Sequence, residues 1–550
     1  MRNLKLLWGA CKVKVVEQSF HGPADRRSAL DRAHRGDVVG AFGTIANHDT
    51  EPRRSVARRL STLAAVMGPG LIVLAADNDA GGISVYAQAG QDHGTSLLWV
   101  LLLLAPVLFI NQEMVARLGA VTGAGHARLI FERFGRRWGA FALGDLLVLN
   151  ALIAATEFIG ATLALGYLGI SRYLAIPAAV VFLLAVTAGG SYRRWERAMC
   201  AMVAVDVLLL PLALFAHGGG AVSVAPPLPH GMSDEAFLLL ALVGTTAAPW
   251  QLFLQQSIVV DKRVTARWLS YARLDTAIGT ACMVLGAAVV LVTCAAAFGH
   301  TPLAGRFSDA GGVARGLALT SGRAVGSIFA IVLLNASLMG AAAVTLSSAY
   351  AVGDVLGVKH SLHRRWSDAP AFHGTFAVTV VAGVAIALQP LVPTDLITDA
   401  AQALAGVLLP SACVFLILLC NDPAVLGPRT NPHWLNALAA LGVAALVVLS
   451  AFLAATTAFP RVDAGLLAVV LTSATAAFFA AWGGVLAVES LRRAEPPVRG
   501  WWERLVWTMP AIEGLAPAPS TRGRTLGLLL LRAYLLAAVG LTVVRVVRLA

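Results

Sequence analysis

Asp77, Asn78 and Asp79 interrupt an apolar stretch that opens at Met67-Gly68-Pro69-Gly70 and closes on the paired glycines Gly81-Gly82. A bare charge at the centre of a bilayer costs roughly 2.5 to 3.5 kcal/mol, so it persists only where it faces protein or water. Two adjacent glycines let a helix unwind and turn its carbonyls inward, which is tolerated only around a cavity. A carboxylate at the break of a membrane helix is chemistry suited to holding a cation in transit. The competing reading is a glycine-rich loop between two short helices.

The elements that position these residues follow from composition. Of the 550 residues, 58% are hydrophobic and only 13% charged, against roughly 25% charged in an ordinary soluble domain. Apolar runs of membrane-spanning length recur along the chain. The net charge of +12 sits in short clusters between these runs. That is orientation signalling and not a nucleic-acid face. The six cysteines are scattered, without metal-binding spacing, and read as small buried hydrophobes. Residues 1–60 are polar and punctuated by arginines, without a signal-peptide pattern. They are expected to be a basic, largely disordered cytoplasmic tail.

The apolar runs predict helices near 61–88 (broken at 77–82), 95–117, 140–167, 172–189, 198–217, 235–260, 274–299, 323–354, 372–389, 396–420, 433–455 and 464–489. A last run, 525–544, carries Arg532 near its middle. It reads equally as a thirteenth span or an amphipathic surface helix. The strongly basic loops (133–138, 193–197, 262–273, 359–365 and 492–504) alternate with loops holding few or no Lys or Arg. This pattern places the amino terminus on the cytoplasmic side of a plasma-membrane protein. The expected organisation is a ten-helix core over 61–420, made of repeats at about 61–217 and 235–420. Two further helices follow over 421–490, then a basic segment over 491–550.

The core carries a second interruption. The sixth helix reads Gly244-Thr245-Thr246-Ala247-Ala248-Pro249-Trp250-Gln251, with a proline in mid-span. A lone proline usually only kinks a helix. Here it stands five helices after the first break, so the two broken helices run in opposite directions. Matched interruptions in inverted halves mark a substrate site near the midplane.

These residues resemble a known family. Gly68-Pro69-Gly70, eight residues, then Asp79-Ala80-Gly81-Gly82 is similar to the first-helix signature of the Nramp divalent-metal transporters, Gly-Pro-Gly, eight residues, Asp-Pro-Gly-Asn. Ala89-Gly90, Leu97-Leu98-Trp99, Ala116-Arg117-Leu118-Gly119 and Val121-Thr122-Gly123 continue the likeness. Glu157-Phe158-Ile159-Gly160 resembles the third-helix Glu-Val-Ile-Gly, and Ala248-Pro249-Trp250-Gln251 takes the place of Met-Pro-His-Asn. The resemblance covers about 66–420. It implies an all-α polytopic membrane protein with the LeuT-type 5+5 inverted repeat, broken helices 1 and 6, and about 12 transmembrane helices.

In that family the metal is held by the first-helix Asp and Asn, the sixth-helix Met and neighbouring carbonyls. Carried over, Asp79 stays, Asn becomes Gly82, Met becomes Ala248, and the carbonyls fall at Ala76 and Thr245. Loss of the thioether removes the preference for soft ions. The smaller residues enlarge the cavity, and Mg2+ keeps several waters. The pattern resembles the Nramp-related magnesium branch.

The resemblance gives the proton-relay histidines to Trp250 and Gln255, and an acidic position to Ala154. Only Glu157 remains to carry a proton, or to serve as a paired structural carboxylate. Uncoupled uptake driven by membrane potential is therefore expected. Asp77 and Asn78 read either as a hydration shell around the ion or as helix caps. Gln251, Gln255 and Gln402 read as acceptors for ion-bound water or as packing amides.

The expected partners are a divalent ion, as cargo and not as cofactor, and the bilayer; the sequence leaves the oligomeric state open. No enzyme motif such as H-E-x-x-H, G-x-S-x-G or a phosphate loop occurs. The alternatives are a proton-coupled Mn2+ or Fe2+ transporter and an organic-solute transporter of the same fold.

Overall fold

The computed structural model describes residues 29–216, 232–390 and 393–458, with shorter stretches between 463 and 540. The described core is helical. Its elements are α1 (Val56–Val66), α2 (Pro69–Ala75), α3 (Ala80–His93), α4 (Leu98–Thr122), α5 (His126–Phe134), α6 (Arg136–Tyr167), α7 (Arg172–Thr187), α8 (Tyr192–Val205) and α9 (Leu209–Phe215). After the undescribed 217–231 come α10 (Met232–Thr246), α11 (Pro249–Asp261), α12 (Leu269–Phe298), α13 (Ala310–Thr320), α14 (Arg323–Leu356), α15 (Pro370–Ala387), α16 (Thr394–Cys420) and α17 (His433–Ala458). Among the described residues, nine helical stretches are long and apolar enough to cross a membrane. The pair α1 and α2, bent by 52°, makes a tenth.

Both expected breaks are present. α2 ends at Ala75 and α3 starts at Ala80; α10 ends at Thr246 and α11 starts at Pro249. The packing repeats with the halves exchanged. α3 lies on α12 as α11 lies on α4, and α6 and α14 pack on each other. This is the LeuT-type inverted repeat, and it puts the two breaks at the centre.

The Gly-Pro-Gly turn shows how the first broken helix is held. Gly68 has φ 146°, outside the reach of an ordinary side chain. The first amides of α2 would otherwise be orphaned. They are taken by Asp275 of α12, whose Oδ1 accepts from Gly68 N at 3.0 Å and Leu71 N at 3.2 Å, and whose Oδ2 accepts from Gly70 N at 2.6 Å. A Cβ at Gly70 would lie 2.8 Å from the Thr276 backbone, so only glycine allows this approach.

Part of the segment expected to be a loose tail is ordered. Val38–Gly40 (β1) and Gly43–Ile45 (β2) form an antiparallel hairpin, and Ala29, Asp31, His34, Val38, Ala41 and Ile45 are buried. The fixings are polar and distant in sequence. Ala41 N donates to Glu196 Oε2 at 2.5 Å, Arg197 Nε to Ala41 O at 2.9 Å, and Arg263 Nε to Ala33 O at 2.8 Å. Arg364 Nε and Nη2 grip Asp31 at 2.8 and 2.5 Å. Burial alone would raise the Asp31 carboxyl, but the Arg364 bond, the Ala33 amide and the His34 charge hold it well below the usual carboxylate range. Composition signals disorder because the segment lacks apolar periodicity, whereas its order comes from partners made by other parts of the chain.

Residues 1–28, the 218–231 loop and most of the second half of the 464–489 helix lie outside the described residues. Of the last run, Leu528, Leu531 and Leu535 are buried against the main apolar core, and Arg532 is exposed.

Candidate cation site at the two helix breaks

The first break leaves Asp79 as the cap of α3. Its Oδ1 accepts from Gly82 N at 2.7 Å, as a short polar side chain does at a helix start. Glu157 of α6 reaches the same turn, where its Oε2 accepts from Ala80 N at 3.1 Å. The two carboxyl groups are thus neighbours at the start of α3. A Cβ at Gly340 of α14 would fall 2.7 Å from Glu157 Oε2 and 2.8 Å from Asp79 Cβ. That glycine is therefore what lets the third wall close on the pair.

The second break contributes no charge. Ala248 precedes α11 and is 2% exposed. Pro249 removes one amide, so the end of α10 offers carbonyls without return bonds. No hydrogen bond reaches the carbonyl of Ala76 or of Thr245 among the described residues. The Thr245 hydroxyl faces Gly82, 2.8 Å from where a Cβ at Gly82 would stand; Asp77 O is 3.1 Å and Asp79 Oδ1 3.3 Å from the same point. A side chain at 82 would thus grow into the space between Asp79, Thr245 and the Asp77 carbonyl.

Of the further residues singled out in the sequence, Gln402 of α16 presses its side chain against Gly81. Gln251 donates through Nε2 to Asp77 Oδ1. Gln255 donates to Thr276 Oγ1 at 3.1 Å and to Gln112 O at 3.3 Å. Asn78 turns away from the breaks and gives Nδ2 to Met283 O at 3.1 Å. Trp250 is fully buried, and Ala154 packs beside Gly383 of α15, so neither supplies a titrating group.

Sequence reading missed Gln112 of α4, whose Nε2 donates to Gln251 Oε1 at 2.7 Å. The available signal was a polar residue inside an apolar run. It also missed Gly340, for which the sequence carries no distinguishing mark.

The unfilled hydrogen-bonding capacity around the breaks is one-sided. The buried side-chain atoms without a partner here are Asp77 Oδ2, Asn78 Oδ1, Gln112 Oε1, Thr245 Oγ1 and Gln255 Oε1 on the oxygen side, with Gln402 Nε2 and Trp250 Nε1 on the nitrogen side. Buried polar groups are almost always satisfied, so such a cluster calls for a guest. Water bound to a cation turns its hydrogens outward and suits acceptors. Among the described residues no three His, Cys, Asp or Glu side chains converge as a tight metal cage. Asp77, Asp79, Glu157, Thr245 and Gln402 are each no more than 2% exposed, so the site is closed to both faces.

The Nramp family model, natural resistance-associated macrophage protein-like, matches residues 70–456. The chain is 27% identical over 404 residues to the divalent metal cation transporter MntH 1 of Pseudomonas aeruginosa, covering 69% of this chain and 89% of that one. It is 27% identical over 466 residues to the divalent metal cation transporter MntH of Burkholderia ambifaria, covering 80% and 98%. Its fold matches a crystal structure of the Eremococcus coleocola manganese transporter with a TM-score of 0.58 at 19% identity, over 78% of this chain and 95% of that one.

Proposed function

From a chain that belongs to the Nramp family and is a membrane transporter for divalent metal cations, not an enzyme, we propose inward carriage of partly hydrated Mg2+ by alternating access, without obligatory proton coupling. The observation that carries this reading is the excess of unpartnered oxygens around the breaks. A hard ion that keeps its waters uses such acceptors, whereas a soft ion stripped of water needs sulfur or nitrogen. Asp79 supplies the charge. The carbonyls of Ala76 and Thr245 supply neutral oxygens, and Gly82 and Ala248 leave room for water. Asp77, Gln251, Gln255 and Gln402 receive or orient the outer waters, and Asn78 takes part only through Oδ1.

The amino terminus lies in the cytoplasm and the membrane is the plasma membrane, in keeping with the basic loops. A divalent ion moving inward gains roughly 4.6 kcal/mol per 100 mV, so potential alone suffices.

A second reading, proton-coupled Mn2+ or Fe2+ transport, is favoured by the contact of Glu157 with Asp79, because a carboxyl beside the ion ligand is placed to exchange a proton as the ion arrives. Family membership sets the organic-solute alternative aside.

Liposomes loaded with a pH dye separate the two readings. Mg2+ entry that quickens with an inside-negative potential and leaves the lumen pH unchanged supports the proposal. Ion-dependent acidification that vanishes in Glu157→Gln, or uptake of Mn2+ but not Mg2+, overturns it.

A further inference from the structure

Asp77, Gln251 and Gln112 form a chain from the first break through α11 to α4, and the three side chains are 1%, 0% and 0% exposed. Gln251 turns its amide nitrogen to Asp77 Oδ1 and its carbonyl to the amide nitrogen of Gln112. Gln112 must then donate, which leaves its own Oε1 and Asp77 Oδ2 as acceptors without partners. The amide of Gln112 is steadied in turn, because its backbone carbonyl receives Gln255, which also binds Thr276 on α12.

The bonds of this chain run one way, from Gln112 on α4 through Gln251 to Asp77. We propose that Gln112 is a positioning residue for cargo: by fixing Gln251, it holds Asp77 so that Oδ2 accepts from a water carried by the divalent ion. The ion then meets two carboxylates, Asp79 directly and Asp77 across one water. This rests on the divalent-ion reading above and adds to it a second anchor that acts only on an ion with its water retained.

The inference separates ions by how firmly they hold water. Mg2+ dehydrates reluctantly, while Cd2+ exchanges its shell for soft ligands. Loss of Gln112 therefore weakens Mg2+ capture and spares Cd2+.

The test uses the full chain in liposomes with Gln112→Leu, Gln251→Leu and the double variant. Leucine fills a similar volume, removes the amide and adds no soft ligand for Cd2+. Each single variant is expected to raise KM for Mg2+ about fivefold, the worth of one net hydrogen bond, with the maximal rate and the KM for Cd2+ little changed. The double variant should match the singles, since both act through one chain. Additive losses, equal losses for both ions, or an unchanged KM for Mg2+ would overturn the inference. If Gln112→Leu does not fold, Gln251→Leu alone must still show the split between Mg2+ and Cd2+. Absence of divalent-ion uptake by the unaltered chain would overturn both the inference and the reading beneath it. Uptake that ignores both glutamines overturns the inference alone.

Discussion

The two helix breaks are matched in topology and opposite in chemistry. The first, between α2 and α3, carries Asp77, Asn78 and Asp79, and all three side chains are engaged by hydrogen bonds. The second, between α10 and α11, carries Ala247 and Ala248 and offers the Thr245 and Thr246 carbonyls with one hydroxyl facing the site. The contrast teaches that a repeated fold supplies two sets of backbone groups, while charge is placed once. Selectivity then depends on how much room the uncharged side leaves.

The largest expected effect removes the asymmetry. Asp79→Asn keeps the α3 cap, because an asparagine oxygen still accepts from Gly82 N, but deletes the charge. Uptake of every divalent ion should fall to background with the protein folded and inserted; full transport in a flux assay would show that the charge of the first break does not hold the ion.

Next, Ala248→Met gives the second break a ligand of its own. The ratio of Cd2+ to Mg2+ uptake should rise by about tenfold, equivalent to about 1.4 kcal/mol. Adding Gly82→Asn should sharpen the shift, although its Cβ must displace the Thr245 hydroxyl 2.8 Å away. Unchanged ratios would mean that position 248 does not face the ion.

A smaller effect tests the framework that holds the first break. Gly70→Ala drives a methyl into the Thr276 backbone at 2.8 Å. It should cost about 1 to 3 kcal/mol, as overpacking does, seen as a lowered melting temperature. At the second break, Pro249 takes the first position of α11.

The existence of these elements was legible in the sequence, because a membrane span must be apolar over its length and a break needs Gly, Pro or a tolerated charge. Asp79, Pro249 and the glycines therefore stood out. The directions of side chains were not legible. Asn78 and Asp77 are adjacent, yet one turns to Met283 and the other to Gln251, and only the packed helices decide that. That Asp275 caps α2 from α12 was likewise not legible. Residues 29–54 read as disordered because their partners lie more than a hundred residues away.

The weakest expected effect concerns that segment, which lies apart from both breaks. Burial holds His34 down to about 4, opposed by the charges of Asp261, Asp31 and Asp354 and reinforced by His360. Unfolding therefore takes up a proton between about 4 and the ordinary 6.5, and docking of the segment weakens as pH falls through that window. His360 acts oppositely: burial alone would lower it, but Asp354 holds it above its usual value, so its contribution is lost as pH rises. Proteolysis within 46–54 should be about tenfold faster at pH 5 than at pH 7, and in His34→Gln this acid-side acceleration should vanish or reverse, because His360 remains. A flat profile in the unaltered chain would show that His34 does not govern docking.

The grip of Arg364 on Asp31 joins residues 333 positions apart. A ribosome adds roughly 5 to 20 residues each second, so Asp31 waits tens of seconds for a partner not yet synthesised. Early in that interval Glu196, fully buried with its 2.6 Å bond to Lys262 in the finished protein, also lacks its lysine, which follows it by 66 residues. The Asp31 contact therefore cannot be completed before Arg364 is made, and a nascent chain halted before Arg364 would leave Asp31 without its arginine.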